Sequence, residues 1–499
     1  MLTGELAENF QWALDDANNA GDATDDWRGR CLGTAGVNVV LSRVQQALIA
    51  GGYVTTRVLV GPQDLTTGTL TLTLVPGHVA AIRFKAAESG QPAPATTSLL
   101  GAIPARVGDL VNLRDIEQGL ENLKRLPTAD ADIQIEASTA PNAKPGDSDL
   151  VVAYTRKPSL LRPLRIALSL DDGGTDATGK TQAGATVAWD GPLGLNDLAY
   201  VSLNHDAFNH SGQGTDGQTI HYSVPFGYWL LGATASRSDY HQSVAGLDQN
   251  YVYSGESSNA EVKLGRLLYR DASRKTSAAI RGWRRTSNNF IDDTEIGNQR
   301  RIVGGWEASV NHRQFIGDAT LDGTLAYRRG TGAFGSQEAP EEPFGEGTSR
   351  MELFTAEASL NAPFKLGGEQ FRYSGLWRAQ WNRTPLTPQD RFSIGGRYTV
   401  RGFDGENSLL GQRGWLIRND LGWVVGQTGV ELYAGMDYGH VGGPSVEFQL
   451  GDHLAGGVIG VRGAYQGMSY DVFIGAPITK PQGFITANVT AGFSLNYAF

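Results

Sequence analysis

Two short motifs near the C-terminal end of the chain offer an arginine and an aspartate that can pair. They are Val400-Arg401-Gly402-Phe403 and Gly435-Met436-Asp437-Tyr438-Gly439. A guanidinium and a carboxylate form paired, charge-assisted hydrogen bonds when the chain brings them together. Glycines on either side of Asp437 leave room for another chain segment to approach the carboxylate. Taken alone, the Arg401 tetrapeptide is more typical of a solvated surface arginine, so its interpretation depends on the elements around it.

Asp437 lies on a candidate strand, residues 429–438, whose alternation predicts where its side chain points. Side chains on a strand alternate between two faces. The apolar face carries Val430, Leu432, Ala434, Met436 and Tyr438, and the opposite face carries Glu431, Tyr433, Gly435 and Asp437. If the apolar face contacts lipid, Asp437 faces the lumen of a barrel.

Arg401 precedes this strand in an unusually long connection, residues 384–411. The same connection holds Phe392-Ser393-Ile394-Gly395-Gly396-Arg397. We expect this connection to fold into the barrel, with Phe392, Gly395 and Gly396 supporting it.

The sequence offers little else that could do chemistry. Its eight histidines are not spaced like metal ligands, and the single cysteine, Cys31, excludes a disulfide framework or a cysteine-rich zinc site. We find no phosphate-binding glycine motif and no Ser/His/Asp set on neighbouring strands. The net charge of −10 argues against nucleic-acid binding. We therefore expect no metal, no cofactor, no nucleic acid and no enzymatic activity.

Residues 161–499 have the pattern of an outer-membrane barrel. The last fifteen residues place Ile485, Ala487, Val489, Ala491, Phe493, Leu495, Tyr497 and Phe499 on one face. Barrel strands of about 9–11 residues alternate in this way, whereas a transmembrane helix needs a run of roughly 18 apolar residues, which is missing here. We interpret Phe493, Leu495, Tyr497 and Phe499 as a C-terminal barrel signal.

Sixteen candidate strands can be counted, an even number as bacterial barrels require. They cover residues 162–171, 181–190, 197–207, 218–226, 228–242, 251–268, 275–288, 299–312, 316–328, 351–363, 370–383, 412–424, 429–438, 454–465, 467–476 and 485–499. Short connections alternate with long ones such as 329–350 and 439–453. This asymmetry predicts short periplasmic turns and long surface loops.

The first 160 residues predict two small α+β domains, 1–78 and 79–160, each ending in helix, strand, strand. In the first, apolar residues from Val37 to Leu48 recur at helical spacing, and strands are expected at 53–60 and 70–74. In the second, Asn112 is a candidate N-cap for a helix that stops before Pro127. The shared order indicates an internal repeat, although two unrelated domains would show the same elements. Residues 10–14 fit both a helix and a strand, and we favour the strand.

Separate motifs in the right order identify a resemblance to the outer-membrane transporters of two-partner secretion (TpsB), the haemolysin-activator and contact-dependent-inhibition type. The first 78 residues resemble the first POTRA domain of that family, and residues 79–160 resemble the second. The motifs are Cys31-Leu32-Gly33, Gly52-Tyr53-Val54-Thr55-Thr56-Arg57, Pro62-Gln63-Asp64-Leu65, Asn112-Leu113-Arg114-Asp115-Ile116-Glu117-Gln118, Arg125-Leu126-Pro127 and Ser148-Asp149-Leu150. Val400 to Phe403 match the family's long-loop motif, and Gly435 to Gly439 match the strand motif that the loop arginine contacts.

The resemblance implies a mixed fold of two periplasmic α+β POTRA domains followed by a 16-stranded antiparallel transmembrane β-barrel. It implies that the POTRA domains capture an unfolded exoprotein through its N-terminal secretion domain, which then crosses the barrel without nucleotide. Further expected partners are outer-membrane lipid and, during biogenesis, the barrel-assembly machinery, and the chain is expected to be a monomer. The family's N-terminal plug helix and linker are expected to be absent. The cargo stays open between an adhesin, a haemolysin and a contact-dependent inhibition toxin.

Peptide capture suggests a docking edge on the first domain, formed by Val44, Leu48, Tyr53, Val54, Thr55 and Arg57. There an extended peptide would add to a sheet by β-augmentation. Ordinary core packing explains most of the same side chains. The alternative functions for the whole chain are an insertase of the same superfamily, a passive porin and a barrel lipase.

Overall fold

The structure, a computed structural model, describes residues 1–19, 26–85, 99–156, 163–208 and 212–499. Two compact units divide the chain. The first contains Met1–Leu160 together with Asp190–Asp197 and Pro225–Tyr228, and the second contains the remaining residues up to Phe499.

The N-terminal half of the first unit packs two helices on a three-stranded sheet. Its elements are β1 (Leu2–Gly4), α1 (Trp12–Asn19), α2 (Thr34–Ala50), β2 (Arg57–Leu59) and β3 (Leu72–Val75). The sheet order is β1-β3-β2, with β1 parallel and β2 antiparallel to β3. The helix of Val37 to Leu48 is confirmed, and the backbone N–H of Gly51 closes its C-terminal end on the carbonyl of Ala47.

The strand that we favoured over residues 10–14 is wrong. Ala7–Phe10 form a 3₁₀ turn and Trp12–Asn19 form α1. Phe10, Ala13, Leu14 and Ala17 are buried in one hydrophobic cluster. Their spacing of three, four and seven residues is helical, so the burial of this stripe decides between the two patterns.

The strand expected at residues 53–60 is also shorter, because only Arg57–Leu59 pair with β3. Tyr53 instead packs its ring edge-to-face on Phe10, with 4.7 Å between the centroids.

The C-terminal half of the first unit repeats the order helix, strand, strand. Its elements are β4 (Val79–Phe84), α3 (Leu113–Lys124), β5 (Ala129–Ala137) and β6 (Ser148–Arg156), and the sheet order is β4-β6-β5. Asn112 caps α3 because its side-chain oxygen accepts the N–H of Arg114 at 2.8 Å. Ile116 and Leu123 on α3 are buried, as are Leu150 and Val152 on β6.

The second unit is a closed antiparallel barrel of sixteen long strands. In chain order its strands are β7 (Leu164–Asp171), β8 (Gln182–Asp190), β9 (Leu198–Asp206), β10 (Gln213–Phe226), β11 (Trp229–Ala245), β12 (Asn250–Arg270), β13 (Arg274–Ile291), β14 (Thr294–Glu295), β15 (Arg301–Ile316), β16 (Ala319–Thr331), β17 (Glu352–Leu366), β18 (Glu369–Asn382), β19 (Phe392–Ile394), β20 (Leu409–Gly411), β21 (Arg413–Val424), β22 (Val430–Gly442), β23 (His453–Tyr465), β24 (Met468–Thr479) and β25 (Thr490–Ala498). The short β14 prolongs the end of β13, while β19 and β20 form a hairpin of their own. All sixteen predicted strands are present, within a few residues of their expected ends.

The barrel closes where its last strand meets its first. Residues 494–498 of β25 pair with residues 167–171 of β7. The last strand is shorter than its alternation suggests, since Ile485 and Val489 lie before it and are exposed. Among the described residues, no helix is both long enough and apolar enough to cross a bilayer.

Candidate functional site

The connection between β18 and β21 is a folded element, which we call the lumen loop (residues 383–412). Its β19–β20 hairpin pairs Phe392 with Gly411 and Ile394 with Leu409. Apolar side chains of the loop and of the barrel wall form one buried cluster: Ile394, Val400, Phe403, Leu409, Leu416, Val441, Leu454 and Phe484. Because the loop buries its own apolar residues against the wall, its tip is held in place.

Arg401 at the tip of the lumen loop is bound to Asp437 of β22 at three points. The Arg401 backbone N–H donates to Asp437 Oδ2 at 2.9 Å, Nε donates to the same oxygen at 2.7 Å and Nη2 donates to Oδ1 at 2.8 Å. Arg401 is 4% exposed and Asp437 is 1% exposed. The carboxylate therefore recognises both the main chain and the side chain of the loop.

A second carboxylate, Asp420 of β21, completes the site. Arg401 Nη2 donates to Asp420 Oδ1 at 2.5 Å, so one guanidinium joins two neighbouring strands. We call Arg401, Asp420 and Asp437 the arginine clamp. Asp420 was missed from the sequence, although its place on the predicted strand 412–424 and its pairing opposite Gly435 would have found it once the strand register was known.

The arginine clamp continues into a chain of ion pairs along the wall. Arg462 of β23 donates to Asp420 Oδ2 at 3.2 Å and to Glu431 Oε1 at 2.6 Å. Arg372 of β18 donates to the other oxygen of Glu431, which is 2% exposed. The sequence placed Glu431 on the lumen face but gave no reason to join it to Arg462 or Arg372, because these partners come from different strands.

Glycines make the wall thin where the tip of the lumen loop rests on it. A Cβ at Gly439 would lie 2.8 Å from Ile394 Cγ2 and from Val400 Cγ2, and one at Gly435 would lie 2.8 Å from Arg401 Nη2. A Cβ at Gly456 would overlap the carbonyl oxygen of Arg401. Real side chains do not approach this closely, so the absence of side chains at these positions creates the seat for the loop.

The predicted support residues shape the entry to the tip. Gly395 has φ of 114°, a backbone conformation that favours glycine, and the N–H groups of Gly395 and Gly396 both donate to Thr399 Oγ1 at 3.1 Å. Phe392 packs against the cluster of the lumen loop. Gly402 turns the chain after Arg401 with φ of 95°.

The expected docking edge on the first domain needs correction. Val44 and Leu48 are 0% exposed and belong to the core, so they have no surface with which to contact a peptide. Tyr53, Val54 and Thr55 are partly buried, and Arg57 is exposed.

A side chain also covers part of this edge. Gln45 of α2 accepts the N–H of Val58 at 3.1 Å and donates to the carbonyl of Thr56 at 2.9 Å. It satisfies backbone groups of Val58 in β2 and of Thr56 directly before it, which an added strand would need.

The C-terminal residues Phe493, Leu495 and Tyr497 lie on β25, and Phe499 follows its end. The N–H of Phe499 donates to the carbonyl of Ile166 at 3.0 Å, and the rings of Tyr497 and Phe499 meet edge-to-face with centroids 4.6 Å apart. Within the described ranges, no group of three or more His, Cys, Asp or Glu side chains is arranged to hold a metal ion.

Comparison with known families agrees with this architecture. Residues 146–463 match the family described as haemolysin secretion/activation protein ShlB/FhaC/HecB. Residues 14–77 match the ShlB-type POTRA domain, and residues 78–137 match a second POTRA domain.

Similar proteins are outer-membrane transporters. The chain is 40% identical to outer membrane transporter CdiB-2 of Burkholderia pseudomallei over 487 residues, which cover 95% of this chain and 80% of that protein. It is 24% identical to the haemolysin transporter protein ShlB of Serratia marcescens, over 83% of this chain and 71% of that protein. The solved structure of CdiB from Acinetobacter baumannii superposes with a TM-score of 0.84 at 30% identity, covering 99% of this chain and 86% of that one.

The family match over most of the chain identifies it as a member of the ShlB/FhaC/HecB haemolysin secretion/activation family, an outer-membrane transporter with two periplasmic POTRA domains and a 16-stranded barrel.

Proposed function

We propose that this transporter captures an unfolded partner exoprotein with its POTRA domains and passes it through the barrel to the cell surface without nucleotide hydrolysis. The observation that carries the proposal is the lumen loop, which the arginine clamp holds inside a closed barrel. An element held inside the lumen stands in the path of a cargo, so its position can decide between a closed and an open lumen.

The chemistry of the opposite wall supports passage of an extended chain. Arg281 of β13 pairs with Glu261 at 2.6 Å and with Glu307 at 2.7 Å, and Arg328 pairs with Glu307 at 2.8 Å. These inward-facing charges are neutralised by their neighbours across the strands. A wall of paired charges can be hydrated, so an unfolded peptide does not adhere to these residues by apolar contact.

We propose that the first POTRA domain captures the peptide at the edge of β2. An incoming strand must take the backbone groups of Thr56 and Val58 that Gln45 now occupies. The exposed Arg57 and Leu59 would then lie beside the peptide. Gln45 therefore competes with the cargo for the same hydrogen bonds.

We propose a contact-dependent inhibition exoprotein as the cargo. The support is that a CdiB transporter shares 40% of its sequence with this chain, whereas the similar haemolysin transporters share 23–24%. The alternative function, an insertase of the same superfamily, would act on other barrel proteins instead of on one exoprotein.

The test uses the tagged N-terminal secretion domain of a contact-dependent inhibition exoprotein. We expect it at the cell surface when this chain is co-expressed and in the periplasm when the chain is absent. The abundance of other outer-membrane barrels should not change. Surface display that does not depend on this chain, or a general loss of barrels without it, would contradict the proposal.

A further inference from the structure

An apolar hollow of about 680 Å³ lies on the outer face of the barrel, between β10 and β13. Small side chains form its floor: Ala233, Ala235, Ala260 and Gly282. Ile220 and Val262 at its sides are 60% and 56% exposed and belong to the apolar face of their strands. Glu261 of β12 points to the other face, where its carboxylate accepts Arg281 Nη1 at 2.6 Å. The hollow therefore opens toward lipid.

A strained aromatic residue closes one end of the hollow. Phe334 follows β16 and has φ of 60°, which is uncommon for a bulky side chain. This backbone conformation is strained, and contacts with the surrounding residues must compensate for the strain. Its carbonyl accepts Arg284 Nε at 3.0 Å, and a Cβ at Gly304 would lie 3.2 Å from the Phe334 ring. The ring thus rests on the outer face of β13 and β15 and is itself 58% exposed.

A row of outward aromatic side chains gives the depth of the hollow in the membrane. Gly282 pairs with Trp306, whose ring lies 5.5 Å from that of Tyr327, and Tyr327 lies 4.9 Å from Phe354. Aromatic girdles of this kind mark the level of the headgroups. The row is on the side of the surface loops, so it marks the outer leaflet.

Arg284 stands just beyond this row. It is exposed, lies two residues past Gly282 on the same face of β13 and pairs with Ala260 in the floor of the hollow. A cation at headgroup level beside an apolar hollow is complementary to an anionic headgroup with an acyl chain.

We propose that this hollow binds lipid A of the outer leaflet, with one acyl chain over Ala260 and Gly282 and a phosphate at Arg284. Lipid A is the anionic lipid available at this level of an outer membrane. Bound lipid A would then order the loop that carries Phe334.

The test titrates bisphosphorylated lipid A into the detergent-purified full chain and counts bound lipid by native mass spectrometry. We expect one saturable lipid A. Arg284→Gln should weaken this binding about tenfold, because a charge-assisted hydrogen bond is lost. Ala260→Trp should abolish it by filling the hollow.

Arg266→Gln is the matched control, since Arg266 is also exposed on the outer face but lies 5.0 Å over Trp229 at the other end of β12. It should bind lipid A like the parent chain. Gel mobility before and after heating shows that each variant has a folded barrel. Equal binding by the parent, Arg284→Gln and Ala260→Trp would overturn the proposal, as would equally tight binding of phosphatidylglycerol.

Discussion

Arg397 joins the lumen loop to the place where the barrel closes. Its Nη1 donates to the carboxylate of Asp172, directly after β7, and at 2.7 Å to the carbonyl of Phe493 on β25. Asp172 also accepts the N–H of Phe493 at 2.8 Å. One loop side chain therefore contacts both strands of the closing seam.

Arg397→Ala should loosen that seam. Loss of charge-assisted hydrogen bonds from a mostly buried arginine costs about 1.5–3 kcal/mol, which is roughly tenfold or more in local opening. Amide hydrogen exchange should become faster in residues 164–171 and 490–498 and stay unchanged in β11 and β12. Arg378→Ala removes a more exposed lumen pair with Glu357 and is the control. Unchanged exchange at the seam would exclude this role of Arg397.

Arg401→Ala and Asp437→Ala should each reduce secretion strongly while the barrel stays folded. Asp437→Ala removes one of the two carboxylates that neutralise the buried Arg401 guanidinium. Breaking a buried ion pair costs about 3–5 kcal/mol. The double variant should lose less than the sum of the two single losses, because the residues contact each other. The measurement is the surface-exposed exoprotein at equal transporter abundance. Full secretion by both single variants would remove the role that we assign to the clamp.

Gly439→Val should unseat the lumen loop without changing any charge. Its branched side chain would collide with Ile394 and Val400, which lie within 2.8 Å of the position of a Cβ. Secretion should fall as it does in Arg401→Ala, and limited proteolysis should begin to cut within residues 383–412. Gly323→Ala is the matched control, because its nearest neighbours would be 3.9 Å away. If Gly439→Val leaves the loop protected, the glycine seat is not needed.

Gln45→Ala should increase capture of an unfolded peptide at the first POTRA domain. The variant frees the N–H of Val58 and the carbonyl of Thr56, so the added strand no longer displaces a side chain. Crosslinking from Leu59→Cys in a Cys31→Ala background to the exoprotein secretion domain should become several times more efficient. Gln63→Ala tests a loop glutamine of the same domain and should have no effect. A decrease in crosslinking would mean that Gln45 itself contacts the cargo.

The second POTRA domain should become less stable as pH rises from about 4 to above 6. Burial, followed by repulsion from Asp109, raises the pKa of Asp115 on α3 to about 6. Because the folded pKa is above the unfolded one, the stabilising effect is complete below the unfolded pKa and is lost as the pH passes the folded value. Hydrogen exchange in Leu113–Lys124, corrected for intrinsic rates, should show this loss of protection. Asp115→Asn should flatten the dependence and Asp132→Asn, on the surface of β5, should not.

Strand alternation predicted most of the barrel, because residues that face lipid and residues that face the lumen alternate along each strand and differ in polarity. It also gave the face of Asp437. It could not reveal Asp420 or Arg462 as partners, since that requires the register between strands.

The N-terminal helix was missed for a different reason. Phe10, Trp12 and Leu14 fit the period of a strand, whereas Leu6, Phe10 and Ala13 fit that of a helix. Only the burial of Phe10, Ala13 and Leu14 in one cluster with residues of α2 decides between them. The contact between Arg397 and Asp172 could not be predicted from local patterns, because the two residues lie 225 positions apart in the chain. Elements whose fold depends on local sequence patterns were predictable. Contacts that form only when the barrel closes were not.

The two loop arginines differ in how far along the chain their partners lie. Arg401 lies 19 residues from Asp420 and 36 residues from Asp437, whereas Arg397 lies 225 residues from Asp172. Contacts at short separation cost little loop entropy and form early, and those at long separation form late. The loop can therefore attach to the hairpin of β21 and β22 as a local folding nucleus. The Arg397 contact forms only when the first and last strands meet, so it marks the completion of barrel assembly.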